Sequence, residues 1–165
     1  MGENGALAEQ SADDQETVTR LNVIAPMRLT RALVPGLLAR RRGGVINVAS
    51  EAAMLPGQPG GGVYAASKAF LASYGESLAA ELRPHGLRAT TVCPGFVRTE
   101  MTRGLQDQAP PSIVWVPVER VVAATLRAFA AGRPLVVPGA QYKLADAAVR
   151  LLPRPLLRAA LRRGA

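Results

Sequence analysis

A tyrosine and a lysine stand four residues apart in GGGVYAASKAF, residues 60–70, where a glycine-rich loop gives way to a helix-forming run. On a helix, Tyr64 and Lys68 share one face. A phenol titrates at about 10 in water. The Lys68 ammonium and the positive end of the helix dipole beneath Tyr64 would both lower that value. Such a tyrosine can exchange a proton with a carbonyl or alcohol oxygen near neutral pH. The chain holds 18 arginines and two lysines, so a lysine here is notable. Arginine would add charge but not a compact, rotatable ammonium that can also grip a pair of hydroxyls. A lone Tyr-x-x-x-Lys also occurs on solvated helix faces, so the surroundings must decide.

Two strand ends supply them. Ser50 closes the run GGVINVAS, ahead of Tyr64 in the chain, and CPGFVRTE closes the next apolar run. In α/β proteins, sites are built at the carboxyl ends of parallel strands. Ser50 taken alone reads as a capping or turn residue. Pro94-Gly95 predicts a sharp turn with free backbone amides, and Thr99 adds a hydroxyl.

The elements that must hold these groups alternate. Residues 11–41 read as a long helix, with Ser11, Asp13 and Asp14 at its start and Leu21, Ile24, Leu29, Leu33 and Leu37 at roughly helical spacing. Pro26 and Pro35 argue for a bend or an early end. GGVINVAS is apolar nearly throughout, as a strand covered on both faces would be. Residues 51–62 form a Gly/Pro loop. A second helix runs from Tyr64 to Leu82, carries Leu71, Tyr74, Leu78 and Leu82, and stops at Pro84-His85-Gly86. LRATTVCPG is a second strand, residues 96–117 are irregular, VERVVAATLRAFAAG is a third helix and RPLVVPG a third strand. Residues 141–163 read as one or two short helices broken by Pro153 and Pro155. This alternation predicts an α/β fold with a parallel sheet of about three strands and helices on both faces.

Bulk properties narrow the classes. The 165 residues suit one compact domain, and 48% are apolar with only 4% aromatic, so Ala, Val and Leu must form the core. The net charge is +8, which raises nucleic acid or an anionic membrane as a partner. The charge is uneven. Residues 1–19 carry five acids and no base, whereas residues 120–165 carry nine Arg or Lys and one acid. No RNA-binding motif and no row of aromatics interleaves with the bases, so the arginines read as solvated surface and nucleic acid is not expected. One cysteine, Cys93, excludes an internal disulfide and fits a reducing compartment as a buried inert thiol. His85, the only histidine, sits in a surface turn. No metal site is expected. The acidic N-terminus lacks an apolar leader, and no stretch spans a bilayer, so the expected location is cytoplasmic.

The runs NVAS, YAASK and PGFVRTEM, in that order on strand, helix and loop, resemble the short-chain dehydrogenase/reductase family. RLNVIAPMRLTRALVPGLLARRRGGVINVAS resembles that family's helix and strand before the serine, and places Asn22 on its helical asparagine. The likeness covers about residues 5–138. It implies that Tyr64 is the general acid/base and a cofactor contact, that Lys68 lowers its pKa and holds the nicotinamide ribose hydroxyls, and that Ser50 stabilises charge developing on the substrate oxygen. It further implies that Asn22, through its backbone in a helix irregularity, holds a water in a proton relay to Lys68. The turn from Pro94 through Gly95 to Thr99 would bind the nicotinamide amide, with the Val97 backbone and the Thr99 hydroxyl as contacts. The reaction would be hydride transfer between NAD or NADP and an alcohol/carbonyl pair.

The family's opening Thr-Gly-x-x-x-Gly-x-Gly turn and its Asn-Asn-Ala-Gly stretch have no counterpart here. The cluster PGQPGGG has the wrong spacing and reads as a connector. Met1 falls just past the family's fourth strand, so the chain corresponds to the C-terminal, catalytic half of a Rossmann-like domain over residues 1–140, followed by a helical tail over 141–165. The adenosine-binding half would be absent, and GGVINVAS would expose an apolar edge. NAD and NADP cannot be told apart, because the selecting residue belongs to the absent part. Met101, Leu105, Ile113 and Trp115 would line a hydrophobic substrate site. A second reading is a catalytically silent module that dimerises through helices at 15–40 and 64–82, which the family commonly uses for that purpose. The tail LLPRPLLRAALRRGA is read as a helix packed on the body in preference to a membrane-surface segment.

Overall fold

The computed structural model describes residues 6–56, 60–108 and 112–151. Ser11 starts the first helix, α1 (Ala12–Thr19), and its Oγ accepts the Asp14 N–H. The helical path continues through one π turn (Arg20–Ile24) into α2 (Ala25–Arg40). The single long helix expected from the apolar spacing is therefore present, with its irregularity at residues 20–24. Pro26 explains the place. It has no N–H to close on the carbonyl four residues back, that of Asn22, so the ladder is relaxed there. Pro35 stays inside α2 without ending it.

Three parallel strands follow: β1 (Gly44–Val48), β2 (Arg88–Val92) and β3 (Leu135–Val136). Their order is β1-β2-β3, and Asn47 pairs with Thr91 across the first two. Between β1 and β2 lies α3 (Gly62–Leu82), which begins two residues earlier than its apolar stripe suggests. It ends as the Pro84-His85-Gly86 signal predicts. Gly86 takes the left-handed conformation (φ 72°) and Leu87 N–H returns to Leu82 C=O at 3.2 Å. The described residues of the stretch 96–117 carry more regular structure than expected. They hold a 3-10 turn (Glu100–Thr102), a short α4 (Arg103–Asp107) and a second 3-10 turn (Ser112–Val114). Thr99 and Thr102 form a reciprocal capping pair that starts the first of these. The chain continues through α5 (Val118–Ala130) and, after β3, α6 (Ala140–Leu151). α6 falls in the stretch 141–163 read as one or two short helices, whereas residues beyond 151, with Pro153, Pro155 and the membrane-surface alternative, lie outside the described residues.

Alternation along the strands sends successive side chains to opposite faces. Asn47 and Thr91 face α3 at Gly75, and Gly44 on the other face lies against Phe129 of α5. Helices thus lie on both sides of the sheet, α3 on one and α5 on the other. Leu78, Leu82, Leu87 and Ala89 form one core cluster on the α3 side, and each buried leucine contributes about 1.5–3 kcal/mol. A second cluster joins Leu71, Ala72, Cys93, Val116 and Tyr142 at the carboxyl end of the sheet. Every β2 residue after Arg88 is buried. β1 is not covered on both faces, contrary to its composition: Ile46 is 39% exposed and Val48 58%. Among the described residues β1 has a strand neighbour on one side only, and α5 packs over β2 and β3. No described helix is long and apolar enough to cross a membrane.

Candidate active site

The carboxyl ends of β1 and β2 are tied together past the strands themselves. Ala49 N–H donates to Val92 C=O and Glu51 N–H to Pro94 C=O, both at 2.8 Å. Ser50 sits between these links in extended backbone, and its Oγ accepts the Ala52 N–H at 3.3 Å. The hydroxyl keeps its own proton to donate elsewhere. The turn that follows Ser50, Glu51–Ala53, packs on α3.

Tyr64 lies in the first turn of α3 and Lys68 one turn later. The Lys68 Nζ is 5.6 Å from the Tyr64 ring centroid, inside cation–π range. The same ammonium donates to Val48 C=O at 3.2 Å. The Lys68 ammonium is therefore at the end of β1, two residues before Ser50 in the chain. Lys68 is half-buried, and burial pushes its ammonium below the usual 10.5, with the neighbouring Cys93 acting the other way. A desolvated ammonium acts more strongly on its neighbours than one in water.

Asn22 falls in the π turn, and that turn packs on α3. Its Nδ2 donates to Ser67 Oγ at 3.1 Å, and Ser67 Oγ donates to Tyr64 C=O at 2.7 Å. A two-bond chain thus runs from Asn22 to the backbone of the tyrosine. Ser67 was not singled out from the sequence. Its signal was available, since a buried helical serine bonds back to the carbonyl three residues before it.

The turn from Pro94 to Thr99 is held by side chains that spacing did not reveal. Thr102 Oγ1 accepts the Thr99 N–H at 3.0 Å and donates to Val97 C=O at 2.7 Å. Tyr142, from α6, lays its ring where a Gly95 Cβ would stand: 2.1 Å separates that Cβ position from the ring. Only glycine fits this approach. The turn also pairs with the chain ahead of α5, through the parallel bridge Phe96↔Trp115. Around it lie exposed Met101 and Ile113, half-buried Leu105 and Trp115, and the Arg98 guanidinium 4.8 Å from the Trp115 ring centroid. Thr99 itself is exposed.

Glu51, next to Ser50, was also missed. Burial raises its carboxyl above the usual range, and the charge of Asp146 on α6 adds to the shift. His85 is exposed, and Cys93 is wholly buried as its strand-end position suggested. Among the described residues no three His, Cys, Asp or Glu gather as metal ligands would. Residues 57–59 of the glycine-rich connector lie outside the described residues.

Comparison with known proteins bears on the family and the fold. Residues 1–110 match the profile of the short chain dehydrogenase family. The chain is 31% identical over 107 residues to Oxidoreductase UcpA of Escherichia coli K12, covering 65% of this chain and 41% of that protein. It is 29% identical over 151 residues to the 3-oxoacyl-[acyl-carrier-protein] reductase FabG of Vibrio cholerae, covering 84% and 62%. The fold superposes on a short chain dehydrogenase from Burkholderia cenocepacia, solved with NADP, at a TM-score of 0.81 and 29% identity. That match covers 98% of this chain and 65% of the other. The chain thus spans less than two thirds of the length of each of these relatives.

Proposed function

The chain belongs to the short-chain dehydrogenase family, and from that membership and the Tyr64–Lys68–Ser50 arrangement we propose an NAD- or NADP-dependent oxidoreductase acting on an alcohol/carbonyl pair. The observation that carries the reading is the Lys68 ammonium, which lies beside the Tyr64 ring and rests on Val48 C=O at the mouth of the sheet. An ammonium that rests on a main-chain carbonyl can exchange it for the two hydroxyls of a ribose, which fits the nicotinamide end of such a cofactor. The turn from Pro94 through Gly95 and Val97 to Thr99 would hold its amide.

When bound, the nicotinamide carries the hydride. The chain's residues do the rest. In the reducing direction the Tyr64 hydroxyl gives its proton to the substrate oxygen, and in the oxidising direction its phenolate takes one. Lys68 stabilises that phenolate by its charge. The Ser50 hydroxyl donates to the substrate oxygen while negative charge develops there. Asn22, by its place in the π turn and its bond to Ser67, sets the backbone under Tyr64 and offers a carbonyl for a water leading to Lys68. Met101, Leu105, Ile113 and Trp115 favour a hydrophobic substrate. We assign residues 1–140 to the catalytic half of the fold, residues 141–165 to a helical tail, and the reaction to the cytoplasm, where nicotinamide cofactors and a reduced Cys93 coexist.

One observation favours a second reading, a catalytically silent module. Leu21, Leu29 and Leu33 are all well exposed on the helical run 12–40, which suits association of two copies through that run and α3. Fluorescence titration of the purified chain with NADPH and NADH separates the two. Saturable binding in the micromolar range supports the enzyme, and no binding for either cofactor sinks it in favour of the module. In an active preparation, Tyr64→Phe should lower kcat by about 10²–10⁴-fold with cofactor affinity kept. Unchanged turnover would remove Tyr64 from the proton-transfer role.

A further inference from the structure

We propose that Tyr142 is a positioning residue: its hydroxyl completes the link between the turn at 94–99 and the segment at 114–116, and so sets where that turn presents its backbone. A parallel bridge is made of two reciprocal main-chain bonds. At Phe96↔Trp115 one of them is direct, from Val116 N–H to Phe96 C=O at 2.9 Å. The other would run from Phe96 N–H to Val114 C=O. The Tyr142 phenol spans this second pair, accepting from Phe96 N–H at 3.0 Å and donating to Val114 C=O at 2.7 Å. Tyr142 is 9% exposed, and its ring lies against Gly95. Three separate pieces of chain therefore meet at one hydroxyl: α6, the turn, and the loop carrying Ile113 and Trp115. A phenol is suited to this place because one oxygen can accept and donate at once. Burial raises its titration above the ordinary 10.0 and the Glu51 charge adds to this, against the opposing effect of the Phe96 N–H. The proton needed for Val114 is thus kept.

The ligand of the turn is the one proposed above, and to that extent the inference rests on that reading. The strap itself does not. Tyr142→Phe keeps the ring on Gly95 and removes only the oxygen. Amide exchange then reads the strap directly. In the unaltered chain the Phe96 amide must exchange slowly, and in Y142F it should exchange at least about tenfold faster, while the Val116 amide stays protected. If the Phe96 amide is fast in the unaltered chain, or equally slow in Y142F, the strap is refuted. In a preparation that binds NADPH, Y142F should weaken cofactor binding by about tenfold, since a looser turn must be ordered on binding. A lower melting temperature with unchanged cofactor affinity would mean that Tyr142 is structural and positions nothing. Failure of the unaltered chain to bind either cofactor would overturn the oxidoreductase reading and leave the exchange result standing on its own.

Discussion

Replacing Gly75 by alanine should push α3 off the sheet and carry Tyr64 and Lys68 with it. The Cβ added there would stand 1.8 Å from Thr91 Oγ1, 3.2 Å from Thr91 Cβ and 3.3 Å from Asn47 Nδ2. Ordinary contact begins at 3.4 Å, so helix and strand must part by about 1.6 Å. Turning Thr91 relieves it only in part: the methyl or the Cβ hydrogen then takes the place of the hydroxyl, and the Thr91 Cβ itself still stands 3.2 Å from the new methyl. Overpacking of this kind costs about 3 kcal/mol, the upper end of its usual range. Alanine's better helix propensity offsets about 1 kcal/mol. The net loss of about 2 kcal/mol lowers the melting temperature by about 4–8 °C in a chain of this size. Activity should suffer more than stability, because a displacement of about 1 Å at a catalytic group costs on the order of 10²-fold in rate. The assay is a thermal melt with kcat/KM on Gly75→Ala, Thr91→Ala and the double variant. Thr91→Ala empties the space the new methyl needs, so the double variant should be at least about 1 kcal/mol more stable than the two single losses imply. If Gly75→Ala melts with the unaltered protein, and the double variant is additive, close helix–strand approach is not what sets the position of α3.

Two further variants test the charges around the site. For Glu51, the folded carboxyl titrates above its unfolded value of 4.5, chiefly through burial. The folded state then holds more protons than the unfolded one between those values, and stability falls as pH rises through that window. Glu51→Gln should leave the melting temperature unchanged below pH 4.5 and raise it at neutral pH. A loss at neutral pH would show that ionised Glu51 is held by favourable contacts. For Lys68, the folded ammonium titrates below 10.5. Here the unfolded state holds more protons, and stability rises with pH up to 10.5. Lys68→Met keeps the apolar stem and should melt higher than the unaltered chain at pH 7, with the gain gone above pH 10.5, while kcat/KM collapses. A destabilised but active Lys68→Met would contradict both the desolvation argument and the catalytic one.

The order and type of the main elements were legible because each carries a local physical signature. The stripe Leu71, Leu78, Leu82 and the stop at Gly86 define α3, and the buried run after Arg88 defines β2. Coverage of a strand is a different matter. Val45, Ile46 and Val48 are the same letters whether or not a layer lies over them, so apolar composition could not tell that Ile46 and Val48 stand open. The place of the helix irregularity was half legible. Pro26 frees the Asn22 carbonyl and marks the fault, but the letters alone do not tell that Pro35 is carried inside α2 without a second one.

The site divides along the same line. Tyr64 and Lys68 were visible because one helical turn brings them together, and Ser50 and Gly95 because strand ends meet at one edge of a parallel sheet. Thr102 and Ser67 act over three to five residues and could have been found by asking which hydroxyl satisfies Val97 C=O or Tyr64 C=O. Tyr142 could not. It is 46 residues from Phe96 and 28 from Val114, and no periodicity relates a helix after the last strand to a turn after the second. Gly95 alone hinted at it, since a glycine following a proline can serve a turn or make room for a ring. Here the ring 2.1 Å from the missing Cβ decides for the second. The geometry of a site reached from three distant segments is thus fixed by closure of the whole fold, and a motif read along the chain points to a chemistry before it can point to what holds the groups in place.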